Sequence, residues 1–573
     1  MSIFIVLPLL FLPGYFFTLL CRWISGFYKR LAFSITTSLA LEIIISFIIA
    51  FLNLPLAVFF LPTIIVLTLI FGLITKRKSL VIFEEWKHLS KREKYFLGII
   101  FVLALAAGAF IFYPHFGYRW PIHVDEWWDI SAVQSLLAGR PLNTNPYLFT
   151  PYSDYKPGFT SFLASISAVL GKDPVHFWPY LPAFNLFLIS FVTSLLLFAG
   201  TKNFWIAGLA PIFLAALRSN AYVLGWWFFV PSSFAFIFVV FLLITATDLF
   251  KSWSGLFLAF IFSLALGLVY LPFLGLIILS FIPFGARLFK KFPVMFFLIL
   301  FSGIVSIVAL LALSPYKSFW SSGEPAMLKA FFVPSQATIH FFNFLSFFTV
   351  VPFIIFILGL IGGLVLIFKK ENWSLALISG GIVGLLNLII FYLYHISFLS
   401  FYQREYYFFG VILALLASIS VGKFLATRFK TIISLIFVIT VLITIFYGYF
   451  NLPSGTLLYH LVNPNDLAAL QWLKNQSDLK GKYVLSNADV GTIITPLSGL
   501  PAKISWLTTQ GTAALKNPKN LSFFNTSDCA VKKSIIIDLN TEIIYGRSPQ
   551  DCSFLKEIYN KNNVFIYHYL NML

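Results

Sequence analysis

Apolar runs close to 20 residues long recur along the first 450 positions of the chain. Wound as a helix, each is long enough to cross a hydrocarbon core of roughly 30 Å. Inside a bilayer every backbone N–H and C=O has to be satisfied within the protein, so runs of this length fold as helices. Composition points the same way: 60% of the 573 residues are apolar and 10% are charged, against roughly 25% charged in an average soluble domain. A soluble enzyme is excluded. The spacing predicts fourteen spans, at 3–24, 31–52, 54–75, 95–113, 179–200, 203–217, 226–247, 254–270, 271–286, 293–314, 350–368, 374–396, 406–422 and 431–450. The first run lacks a basic leader and a small-residue cleavage site and is read as a retained helix.

The formal charge of +18 would suggest nucleic acid as a partner in a soluble chain. Here most basic residues stand in short turns between apolar runs: Lys76-Arg77-Lys78, Lys290-Lys291, Lys369-Lys370 and the stretch from Lys423 to Lys430. The positive-inside rule accounts for them, and no nucleic-acid partner is expected. Loop 76–94 is then cytoplasmic, and the loops 114–178 and 315–349 and the tail 451–573 are extracytoplasmic, in a multi-pass protein of the cell membrane. The apolar segment 159–170 is roughly 18 Å long as a helix, too short to span easily. If it did span, all the later basic turns would lie outside. It is therefore expected as an interfacial or partly inserted helix of one long external loop.

Three regions follow: additional helices and a cytoplasmic loop at 1–94, a membrane domain at 95–450, and a tail domain at 451–573. The tail carries 11 Lys+Arg and 8 Asp+Glu. Asn463-Pro464-Asn465-Asp466 reads as a helix start, and KYVLS, SIIID and NVFIYHY read as strands, which makes the tail a small α/β domain. Cys529 and Cys552 both lie in it, and outside the cytoplasm they are positioned by composition to form a disulfide.

Acids are scarce, so their placement is informative. Directly after the fourth span the chain reads His123-Val124-Asp125-Glu126-Trp127-Trp128-Asp129. On a helix over 125–138, Asp125 and Asp129 stand at i and i+4 on one face, with Glu126 beside them. Acids also suit a helix N-terminus for electrostatic reasons, and tryptophans suit a membrane interface. The functional alternative is a carboxylate acting as base or metal ligand for a lipid-borne substrate. Lys156-Pro157-Gly158 opens the short apolar helix. Tyr402-Gln403-Arg404-Glu405 stands at the external end of a span, where an arginine either snorkels or takes a lipid phosphate bidentately. Ser321-Ser322-Gly323-Glu324-Pro325 lies in the second large external loop. Glu42 is the clearest acid inside a span. No P-loop, GxSxG or HExxH motif is present.

A span followed by an external loop with Asp125-Glu126, a helix ending at Gly139, then Lys156-Pro157-Gly158 and a short helix ending at Gly171 resembles the GT-C glycosyltransferases. Protein O-mannosyltransferases, lipid A aminoarabinose transferases and the catalytic subunit of oligosaccharyltransferase are the echoes, over roughly 95–430. The resemblance implies a polyprenyl-phosphate-linked sugar donor, a glycan, lipid or protein acceptor, and inverting transfer on the exterior face. It makes Asp125 the catalytic carboxylate, supported by Glu126, and Arg404 the ligand of the donor phosphate. Glu324 falls where oligosaccharyltransferases place a loop glutamate. With His123, Asp129, Lys156 and Tyr402 it completes the expected substrate-binding set. A divalent cation, Mg or Mn, is compatible with this chemistry. The tail holds no counterpart of the oligosaccharyltransferase WWDYG run, and 218–227 contains no acid. The rival class is a lipid or small-molecule transporter, which would place its ionisable groups inside the spans.

Overall fold

The computed structural model describes residues 8, 11–75, 81–150, 156–219, 223–282, 344–369, 372–394, 402–426, 439, 443, 460–505 and 522–570. The expected span 293–314 lies outside the described residues, as does 431–450 apart from residues 439 and 443. The helices are α1 (Leu12–Thr18), α2 (Phe27–Phe51), α3 (Leu56–Ile74), α4 (Val81–His88), α5 (Lys91–Ile111), α6 (Val124–Leu137), α7 (Pro157–Leu170), α8 (Leu181–Thr201) and α9 (Phe204–Ala215). They continue with α10 (Pro231–Leu249), α11 (Trp253–Ser280), α12 (Phe344–Val350), α13 (Phe353–Lys369), α14 (Leu375–Tyr394) and α15 (Tyr402–Ala426). The tail adds α16 (Pro464–Lys474), α17 (Ala488–Ser498), α18 (Cys529–Asp538) and strands β1 (Val484–Leu485), β2 (Ile543–Gly546), β3 (Leu555–Lys561) and β4 (Val564–Tyr569).

Among the described residues eight helices are long and apolar enough to cross a membrane: α2, α3, α5, α8, α10, α11, α14 and α15. The protein is a multi-pass membrane protein. Two expectations change in detail and one break is confirmed. Within 3–24 the described helix ends at Thr18, and turns fill the chain to Ser25. The break expected between 254–270 and 271–286 is present: the two helical stretches grouped as α11 meet at non-helical Tyr270, two residues before Pro272, whose ring excludes a regular turn there. The 203–217 run yields only 12 helical residues in α9, roughly 18 Å of helix.

The described residues fall into two compact units. One comprises those within Met1–Pro114, Asp154–Gly171 and Tyr180–Leu457. Here α7 is buried along most of its length and packs on α2, α3 and α11. Only glycine fits at 158, where a Cβ would stand 2.6 Å from Leu268 Cβ and 3.0 Å from Ile43 Cγ2. At one end of this unit Arg30 clamps Glu85 through two N–H groups at 2.9 Å, tying α2 to α4. Lys29 meets Asp248 at 2.8 Å, tying α2 to α10. Helix α5 starts nearby in sequence on a reciprocal cap: Ser90 Oγ accepts the Glu93 N–H at 3.2 Å, and the Glu93 carboxylate accepts the Ser90 N–H at 3.0 Å.

The second unit comprises the described residues within His115–Ser153, Lys172–Pro179 and Leu458–Leu573, so the described part of 115–153 is built together with the tail, while the helix opening at Pro157 belongs to the first unit. Its sheet has the order β1-β2-β4-β3, with β1 parallel to β2 and the remaining pairs antiparallel. SIIID, expected as a strand, is instead the second half of α18. Asp528 caps that helix by accepting the N–H groups of Ala530 and Val531, and helical phase buries Ile535 and Ile536 while Ile537 is exposed. These isoleucines join Leu485, Ile544, Phe554 and Tyr567 in the core.

Cys529, the first residue of α18, is disulfide-bonded to Cys552 with a Cα–Cα separation of 5.7 Å. Reduction should destabilise the tail by roughly 3 kcal/mol, the loop-closure entropy of a link 23 residues apart. Thermal unfolding of the full protein with and without reductant, followed by intact mass of alkylated thiols, checks this.

Candidate active site

The DEWWD cluster forms the start of α6, and its local geometry follows from three side chains. His123 is the N-cap: its Nδ1 accepts the Asp125 N–H at 3.1 Å, so in this arrangement the ring is neutral with its proton on Nε2. The Glu126 carboxylate turns back and accepts the N–H groups of Ile122 and His123, both at 3.1 Å. Glu126 is fully buried, and through these two bonds its carboxylate closes the cap. Asp125, one residue earlier, keeps 35% of its side chain exposed, with Oδ2 3.9 Å from His123 Nδ1. Asp129 shares the face but is 1% exposed.

The tryptophans do not form a membrane belt. Trp127 is fully buried, Trp128 is 7% exposed, and Trp128 packs on Tyr147 with ring centroids 5.4 Å apart. Tyr147 in turn donates from Oη to the Thr492 carbonyl of α17 at 2.8 Å. Burial raises the Tyr147 phenol well above its ordinary pKa, with the Asp129 charge adding to the effect, so it stays a donor. Gln134 Nε2 donates to the Pro496 carbonyl and to Asp173 Oδ1, both at 2.9 Å. Tyr483 donates to the Leu148 carbonyl at 2.9 Å. These contacts fix α6 against the tail, and Tyr147, Gln134 and Tyr483 were not singled out by sequence reasoning. Each is an isolated polar residue whose partner lies more than 300 positions away along the chain.

Preceding α6, a cavity of about 490 Å³ is lined by His115, Tyr118, Arg119, Trp120, Asn463 and Leu467, among others. Tyr118 stacks on His460 at 4.1 Å and accepts the Val462 N–H at 3.0 Å. The sequence signal for it is the YRW run just before the cluster.

The other expected residues fall elsewhere. Lys156 is buried and caps α7 of the first unit, its carbonyl accepting the Phe159 N–H at 3.1 Å. Arg404, half-buried in the first turn of α15, donates from Nη1 to the Val223 carbonyl at 2.9 Å. Tyr402 opens α15, its side chain outside the described residues, and Glu324 lies outside them altogether. The structure thus joins His123, Asp125, Glu126 and Asp129 in one unit and holds Lys156 and Arg404 in the other. Among the described residues no three His, Cys, Asp or Glu side chains come together as metal ligands.

No family model matches the chain, and no curated protein matches it. Solved structures do. The archaeal oligosaccharyltransferase AglB from Archaeoglobus fulgidus, in complex with an inhibitory peptide and a dolichol-phosphate, superposes with a TM-score of 0.52 at 13% identity, over 80% of this chain and 70% of that one. The Archaeoglobus fulgidus oligosaccharyltransferase tethered with an acceptor peptide containing the NVT sequon gives 0.50 at 12% identity, over 79% and 69%. The chain shares the fold of these structures, with a small α/β domain as its tail.

His115 supplies a pH test of the unit that carries Asp125. Burial, the largest influence, lowers its pKa to about 4 from 6.5. The unfolded chain therefore takes up a proton as pH falls through 6.5 while the folded chain does not until about 4. Stability is lost across that window, by about 3 kcal/mol at most. Chemical unfolding of wild type and His115→Phe at pH 7 and pH 4.5 should show a larger loss in wild type than in the variant, since burial also lowers the His568 pKa in both.

Proposed function

We propose that the protein is an integral-membrane glycosyltransferase that moves a sugar from a polyprenyl-phosphate-linked donor to an acceptor on the extracytoplasmic face, with inversion. One observation carries this reading: Asp125 stands accessible at the start of a helix whose capping residues and tail contacts hold it rigid. The GT-C fold supports it, and the neighbours were solved with a dolichol-phosphate in one case and an acceptor peptide in the other. The basic end of the first unit is assigned to the cytoplasm by charge. The acceptor is left at the level of a hydroxyl or amide of a glycan, lipid or protein, since the tail lacks a WWDYG-like run.

In the proposed reaction Asp125 takes the acceptor proton as the acceptor attacks the anomeric carbon. The new glycosidic bond forms as the bond to the lipid phosphate breaks on the opposite face, and the phosphate leaves with the electron pair. Arg404 neutralises that phosphate. Because phosphate is already a good leaving group, no covalent sugar–enzyme intermediate is required. No step of this reaction depends on a divalent cation. Glu42 favours the rival reading as a transporter. It lies within α2, fully buried, and neither carboxylate oxygen makes a hydrogen bond among the described residues, as a group on an ion or proton path would.

Asp125→Asn should express, keep its melting temperature and bind donor lipid while losing 10²–10⁴-fold, roughly, in transfer rate. Asp129→Asn should lose less. Purified variants assayed with a radiolabelled polyprenyl-phosphate sugar decide this: an Asp125→Asn protein keeping more than about half of wild-type turnover removes Asp125 as the base. If Glu42→Gln alone changes lipid or solute flux in vesicles, the transporter reading prevails.

For Arg404 the expectation is graded. Arg404→Ala should weaken donor binding by several-fold to a hundredfold, corresponding to a charge-assisted contact of about 1.5–3 kcal/mol. Arg404→Lys should lose less because it keeps the charge but not the two-pronged contact. Donor affinity measured for the three proteins tests this, and equal values would return Arg404 to a purely structural role on the Val223 carbonyl.

A further inference from the structure

We infer that the groove between α5 and α9 binds an anionic phospholipid. The groove has a volume of about 700 Å³, within the range of about 300–1,000 Å³ typical of small-molecule sites. Its walls are apolar, formed among others by Phe96, Ile99, Leu103, Gly208 and Ile212. Gly208 leaves its floor open: a Cβ there would meet only Leu103 Cδ1 at 3.8 Å and Phe96 Cε2 at 3.9 Å.

Charge is confined to one end. Lys91 and Arg92 line the mouth, both exposed, and among the described residues neither pairs with a carboxylate. The nearby acid, Glu93, is turned back onto Ser90 in the helix cap. The Arg92 guanidinium rests over the Phe204 ring, 4.4 Å from its centroid, which holds it at the opening. Beside it Trp205 is 53% exposed and Tyr95 is 75% exposed, the amphipathic rings that mark a headgroup level.

From Lys91 to Leu103 the groove follows roughly 18 Å of helix, close to the half-thickness of a hydrocarbon core of about 30 Å. A ligand matching this outline carries a phosphate at one end and an acyl chain one leaflet long behind it. A soluble anion has no use for the apolar walls. A zwitterionic lipid carries its own cation, so two unpaired basic residues favour a headgroup of net negative charge. Cations at the bilayer surface collect such lipids. This site stands on the first unit alone and does not depend on the glycosyltransferase reading.

The test is lipid retention by the purified, delipidated full-length protein, read by native mass spectrometry with dioleoyl phosphatidylglycerol and dioleoyl phosphatidylcholine. Wild type should retain phosphatidylglycerol at least about tenfold more tightly. Lys91→Gln with Arg92→Gln should erase the preference while leaving weak binding of both lipids, and Gly208→Phe should remove that residual binding. Melting temperatures identify any variant that fails to fold, and the exposed charge variant suffices if the groove variant does. Equal retention of the two lipids by wild type would overturn the site, as would selectivity unchanged in both variants. Displacement by glycerol phosphate alone would make it a site for soluble anions. A co-purifying polypeptide protecting Trp205 from quenching by brominated lipid would make it a protein contact. Either would also overturn the inference.

Discussion

The buried Glu126 carboxylate and the two N–H groups it accepts from Ile122 and His123 fix how the chain enters α6. An ionised carboxylate taken out of water is costly unless it is fully hydrogen-bonded, and the N-terminus of a helix is where such bonds and a favourable dipole are both available. Removing the carboxylate would strand two backbone donors, each at about 1–3 kcal/mol. His123 meanwhile occupies the Asp125 N–H. The backbone of the first turn is therefore spoken for, and Asp125 has little freedom except at its carboxylate. A base that need not be ordered at the moment of reaction is the structural content of preorganisation.

In the membrane part the ordering force differs, because lipid tails are as apolar as the side chains and burial between helices gains little. Close backbone approach takes its place. A Cβ at Gly108 of α5 would stand 2.4 Å from the Ala183 carbonyl oxygen of α8, and one at Gly422 of α15 would stand 2.6 Å from the Ile206 nitrogen of α9. Neither approach tolerates a larger residue. At the other end of α15 Tyr407 accepts the Trp226 N–H at 3.0 Å, with its ring where Gly225 leaves space. The helix that carries Arg404 is thus held at both ends by contacts that only small residues permit.

Much of this was legible in the sequence because the bilayer sets helix length and charge sets turns. The spans at 31–52, 54–75, 374–396 and 406–422 appear as α2, α3, α14 and α15 with ends shifted by a few residues. The α6 start was legible because acids beside a capping residue have a short-range cause. What escaped is long-range. Nothing local says that Tyr147 will meet Thr492, or that the loop at 115–153 belongs with the tail. SIIID misled because a run of isoleucines has no period of its own, and the capping Asp528 and the buried pair Ile535–Ile536 decide for a helix. Tryptophans at a membrane edge suggest a belt, yet Trp127 and Trp128 are buried as core of the unit.

The pairing of Asp125 with Asp129 shows how burial divides two like residues on one helix face. Two carboxylates at i and i+4 repel, and sequence spacing alone gives them equal claims to chemistry. Burial separates them: Asp125 keeps 35% of its side chain in contact with the outside, and Asp129 keeps 1% beside Tyr147. A general base has to reach a proton that arrives on a ligand, a requirement of access before it is one of basicity. Asp129 meets protein on every side, and its charge acts on the Tyr147 phenol that ties α6 to α17. On the proposed reading exposure gives the ligand to Asp125 and the scaffold to Asp129, a division that spacing could not make.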